Sequence, residues 1–271
     1  MREHSVVGGQ RHAMLDLWTS ILWLGLLMVP VTLLKRWVMI HLHALGVITL
    51  GSDYRAIWLR FLVLAPGIFL HEFSHWFTAK LLLVPTGKFS LGPSRSVTRG
   101  AQVQVTMGYV MIGKTDPIRA SLIGVAPFIF GTAAIVLISN YGFRQMTAID
   151  LPPTAIIAGV ATHLSDLFRV PDAWLWLYLT FSISNSLMPS ASDRRDWWAA
   201  ALYLIALAAI VVILTGVRQP PPELLAAVRH VLDTLLFAFT LTLVIDLIIG
   251  VVIYLLYQLI SRLTGRRVYF R

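Results

Sequence analysis

Apolar runs long enough to cross a bilayer, about 20 residues each, recur along this chain and are parted by short polar or basic stretches. They predict six spanning helices, over 13–34, 57–83, 118–139, 172–190, 197–216 and 231–260. Between the first two, "WVMIHLHALGVITL" (37–50) is too short to span and reads as an interfacial or re-entrant segment. "PTAIIAGVATH" (153–163) reads as a short surface helix. One loop breaks the helical pattern. In "SVTRGAQVQVTMGYVMIG" (96–113), Val103, Val105 and Met107 alternate with Gln102, Gln104 and Thr106, and period two bounded by glycines predicts a strand or hairpin. Lipid-exposed sheet edges are not tolerated, so these strands belong at the interface or against a protein cavity. The third helix opens on "DPIRAS", where Asp116 can cap and Pro117 suits the first turn.

The fold class expected is therefore an all-α polytopic membrane protein, with about six transmembrane helices and a small β-hairpin or re-entrant strand region on the side of the active site. Composition agrees: 57% of residues are hydrophobic and 13% charged, against roughly 25% charged in soluble domains. The run 13–34 exceeds the about 7–15 residues of a signal-peptide core, and Lys35 and Arg36 follow it instead of a cleavage site, so it reads as a retained helix. The net charge of +9 fits loop Lys and Arg that set topology and meet anionic headgroups, and no nucleic-acid motif accompanies it. Six spans put both termini on one side. Arg262, Arg266, Arg267 and Arg271 mark that side as the cytoplasm of a plasma-membrane protein. The 84–117 loop and Arg194–Arg195 then also fall inside, and Lys35, Arg36, Arg55 and Arg60 outside.

Cysteine is absent, so any metal must be held by nitrogen and oxygen. In "FLHEFSHWFT" (69–78), one of only three glutamates sits between two histidines in an apolar stretch. His71 and His75, four apart, share a helix face and can hold one tetrahedral metal. Glu72, about 100° round the helix, suits a general base toward a water at that metal. Ionisable groups inside a membrane are functional by default. Other polar groups read more plainly. His41 and His43 are two apart, wrong for one face. His163 and Asp166 fit a cap in a loop, Asp246 is a reserve ligand on the last helix, and Glu223 belongs in a helix first turn.

"HEFSHWFTAKLLLVPTGKFSLGP" (71–93) resembles the first core segment of the site-2 protease family of intramembrane zinc metalloproteases, where H-E-x-x-H leads into a β-rich loop. "SLIGVAPFIFG" (121–131) is similar to that family's small-residue second core helix, and "NSLMPSASD" (185–193) resembles its third motif, N-x-x-P-x-P-x-x-D-G. Here Met188 and Ser190 replace the prolines, Pro189 lies between them, and Arg194 replaces the glycine, while Asn185 and Asp193 keep their separation. The resemblance divides the chain into 1–56, a metalloprotease core at 57–196 with its β-rich loop at 86–113, and 197–271. It implies one zinc ion held by His71, His75 and Asp193, with Glu72 as catalytic base. Asn185 would bind substrate backbone, and the strand carrying Val103 and Val105 would pair with it. The expected partners are a membrane-protein substrate and the lipid bilayer. Two alternatives stay open: a zinc-holding scaffold without proteolytic activity, and a membrane zincin whose third ligand is a distal glutamate, for which Glu223 is the candidate.

Overall fold

The computed structural model describes residues 2–97, 103–142, 172–190, 192–215, 221–266 and 268. The 153–163 segment, His163 and Asp166 lie outside these residues. Within them are six α-helices: α1 (Arg2–Leu50), α2 (Asp53–Leu81), α3 (Pro117–Leu137), α4 (Ala173–Leu187), α5 (Trp197–Thr215) and α6 (Pro222–Thr264). A two-stranded antiparallel sheet, β1 (Thr86–Val97) with β2 (Val103–Ile112), follows α2. Four helical stretches are long and apolar enough to cross a membrane: Leu17–Leu50, Asp53–Leu81, Pro117–Tyr141 and Pro222–Thr264.

Of the six spans expected, the one over 197–216 is the helix α5 (Trp197–Thr215), whereas the one over 172–190 falls short for a local reason. α4 has 15 residues, about 22 Å of helix against about 30 Å of hydrocarbon. Its C-cap Met188 is already extended (ψ 125°), because the residue before a proline is pushed out of the α region. The helix therefore stops ahead of Pro189.

α1 also departs from expectation. Residues 37–50 form no separate re-entrant segment but continue the first helix to Leu50, since Lys and Arg are good helix formers and need not end one. Its face of Val38, Leu42, Ala44 and Ile48 is buried. Lys35 thus lies inside α1 rather than flanking it, within electrostatic reach of Asp246 on α6.

α1 and α6 run parallel. Ser20 meets Asp233, His41 meets Tyr254 edge to face, and Ala44 and Ile48 pack on Tyr257. His43 and Asp53, 2.9 Å apart, brace the turn into α2, so the C-terminal end of α6 lies beside the start of α2. The 84–117 segment follows the other end of α2, about 43 Å away. The two basic clusters that sequence placed on one side consequently fall at opposite ends of that helix.

The main core draws Val38, Leu64, Ile135, Phe181, Phe237 and Ile245 from five helices. Asp116 caps α3 as its sequence implies, accepting from the Ile118 and Arg119 amides at 3.1 and 3.0 Å. The hairpin folds back along α2 instead of projecting away. Its base is closed by Gly113 N–H donating to Pro85 O at 2.8 Å, Met107 packs on the main core, and Gly92 lies over the Trp58 ring.

Candidate metal centre

α2 places His71 and His75 one turn apart on a single face. Each imidazole is steered by a backbone carbonyl of a neighbouring helix. His71 Nδ1 lies 2.7 Å from Ser186 O on α4, and His75 Nδ1 lies 2.9 Å from Ile123 O on α3. A carbonyl only accepts, so both Nδ1 atoms carry the proton and both Nε2 atoms present lone pairs. Those Nε2 atoms are 3.3 Å apart. Asp193, from the turn between α4 and α5, joins them, with Oδ1 3.3 Å from His75 Nε2 and Oδ2 3.7 Å from His71 Nε2. All three side chains are at most 15% exposed.

Three electron-rich atoms pointed at one another repel unless a cation or protons lie between them. Ligands about 2.0–2.1 Å from a tetrahedral zinc are about 3.3–3.4 Å apart, close to the spacings here. Two imidazole nitrogens and a carboxylate also form a donor set of catalytic zinc, with a fourth position left open. The carbonyls behind each Nδ1–H supply the outer support that fixes ligand tautomer and ring orientation. The residues fit the ion. Among the described residues, His71, His75 and Asp193 form the group able to hold a metal.

Asp193 arrives by a close approach. A Cβ on Gly124 of α3 would overlap the Asp193 carbonyl oxygen, so only glycine lets this turn close against the helix. Its carboxylate also accepts the Ser190 N–H at 2.6 Å. Burial pushes the carboxyl up, but the Ser190 N–H and, whenever an Nε2 gains a proton, hydrogen bonds and charge from His71 and His75 outweigh it and hold Asp193 well below the usual carboxylate range. It is an anion wherever the protein is folded near neutral pH.

Glu72 lies beside this cluster, within electrostatic reach of both imidazoles and Asp193, and facing β2. A Cβ on Gly108 would come within 2.8 Å of its Cγ and 3.2 Å of its carboxyl. The bare backbone at 108 is the space in which the carboxylate lies.

The other residues singled out from sequence lie elsewhere. Asn185 is buried on α4, and its Nδ2 meets Phe181 O and Asp246 Oδ1 at 2.9 and 3.0 Å. Asp246, the reserve ligand, is held by Ser184 and Asn185 outside the cluster. Glu223 lies in the first turn of α6, also outside it. Val103 and Val105 lie on β2, paired in register with Val97 and Arg95. Sequence reasoning missed Gly108 and the Ile123 and Ser186 carbonyls. For Gly124 a signal existed, a glycine inside the small-residue stretch 121–131. Comparison with protein-family models, curated proteins and solved structures finds no match to this chain.

Proposed function

We propose that the chain is a zinc metalloprotease that hydrolyses peptide bonds of membrane-spanning proteins. The observation that carries the reading is the convergence of His71 Nε2, His75 Nε2 and Asp193 at tetrahedral spacing, with a carboxylate beside it, in a bundle of apolar helices. The resemblance of 71–93, 121–131 and 185–193 to site-2 proteases supports it. So does the position of the hairpin against Glu72.

Bound zinc would polarise the scissile carbonyl and make water acidic enough to attack near neutral pH. The rest belongs to the chain. Glu72 takes the proton of the attacking water and passes it to the amide nitrogen as the C–N bond breaks, which is general base and then general acid catalysis. Substrate helices have satisfied backbones, so the segment to be cut must first unwind. Among the described residues no third strand pairs with this sheet, so β2, beside Glu72, can pair an extended substrate by strand addition. Asp193 and the two imidazoles stay in place because carbonyls, the Ser190 amide and Gly124 fix them from outside.

The test is metal content with cleavage. Purified protein is expected to hold about one zinc per chain and to cut a model transmembrane substrate. His71→Ala is expected to lose both, and Glu72→Gln only the cutting. Equal cleavage by wild type and Glu72→Gln would overturn the mechanism. Zinc binding without cleavage of any membrane substrate would establish the scaffold instead.

A further inference from the structure

Asp246 lies on α6, 2% exposed. Its Oδ1 accepts from Asn185 Nδ2 at 3.0 Å and lies 3.0 Å from Ser184 Oγ. The same amide nitrogen is 2.9 Å from the Phe181 carbonyl, one turn back along α4, and 3.4 Å from Ser184 Oγ. A side-chain amide has two N–H protons, and the carbonyl and the carboxylate take both. Its orientation follows, since two acceptors can face only the NH₂ end. What remains is Asn185 Oδ1, buried and without a hydrogen-bond partner among the described residues, on a residue 5% exposed. Buried polar atoms in native proteins nearly always have partners, so an orphaned acceptor points to a donor that arrives from outside. α4 presents this oxygen one residue before Ser186, whose carbonyl orients His71.

We infer that Asp246 is a positioning residue: it holds the Asn185 amide with nitrogen toward α6, so that Oδ1 is offered as acceptor to a backbone N–H of the extended substrate. The inference rests on the protease reading above. It gives Asp246 a task that metal binding does not, and it fixes the polarity of the contact, with the enzyme accepting and the substrate donating. An acceptor at position 246 is what the task requires, with or without charge.

The experiment compares Asp246→Leu, Asp246→Asn and wild type in full-length protein, measuring zinc per chain, helix content, and kcat and KM for a model transmembrane substrate. Capture of the uncleaved substrate is measured in the Glu72→Gln background. Asp246→Leu removes the acceptor and is expected to raise KM and weaken capture about tenfold, with kcat and zinc little changed, the pattern of lost substrate binding. Asp246→Asn can still present an oxygen to the amide and is expected to stay within about threefold of wild type. Unchanged KM and capture in Asp246→Leu would overturn the inference and leave the protease reading standing. Loss of zinc or helix content in both variants would also overturn it, making Asp246 a ligand or a fold-holding residue. A wild type that neither captures nor cuts substrate would overturn both together.

Discussion

Two of the carboxylates among the helices of this protein, Asp246 and Asp193, have surroundings opposite in kind. Asp246 is met by donors: the Asn185 amide and the Ser184 hydroxyl. Asp193 is met by a donor on one flank, the Ser190 N–H, and on the other by two imidazoles whose protons are already committed to carbonyls. At the first, the protein itself supplies the donors. The second is short of positive charge at the point where three ligand atoms meet. Burial does not identify a metal site, because Asp246 is 2% exposed and the Asp193 side chain only 12%. The balance of donors and acceptors does, and it singles out the His71–His75–Asp193 group.

The largest expected effect breaks this contrast at its metal side. His75→Ala or Asp193→Ala should reduce zinc from about one per chain to almost none and abolish hydrolysis, while Asp246→Leu should keep its zinc. Metal analysis of the three proteins decides it. Acid should act on the same side. Each Nδ1 already donates, so an added proton goes to the Nε2 ligand atom, and zinc occupancy should fall as pH drops. Because the Asp193 carboxyl is held below the usual range, it remains ionised as pH falls through ordinary carboxylate values. The loss should therefore follow the imidazoles.

Glu72→Gln comes next. It keeps size and polarity but not the proton acceptor, so hydrolysis should fall about 10²–10⁴-fold with zinc retained. Parallel cleavage and metal assays read this directly.

A third change acts without touching a ligand. Gly124→Ala puts a Cβ where Asp193 O now lies, so the turn must retreat and carry its carboxylate away from the imidazoles. Zinc affinity should weaken about 10–100-fold, as for a lost outer support, with the His pair intact. Competition with a chelator measures it. Full affinity in this variant would show that the turn closes by another route.

The smallest effect belongs to Glu223→Ala. An acidic residue in a helix first turn is worth about 0.3–1 kcal/mol of stability, and zinc should be unaffected. Loss of zinc here instead would move the third ligand to the distal glutamate and dissolve the contrast drawn above.

Much of this protein is set by its sequence alone. Apolar run lengths place the long helices, since a bilayer fixes how many residues a span needs. Asp116 and Pro117 start α3, and period-two alternation puts strand at 103–112, because these signals act between near neighbours. Helix spacing by itself brings His71 and His75 together and turns Glu72 aside. Only the tertiary structure decided the rest. That the α1 face of Val38, Leu42, Ala44 and Ile48 is buried depends on α6 packing parallel to α1, which no local pattern encodes. The resemblance named Asp193, but its place beside the imidazoles requires the missing Cβ of Gly124, 69 positions earlier in the chain. The room for Glu72 depends likewise on Gly108. Which end of the Asn185 amide is left without a partner depends on a carboxylate 61 residues away. Spacing fixes what one helix can present, whereas close approaches and shared protons exist only once several helices have met.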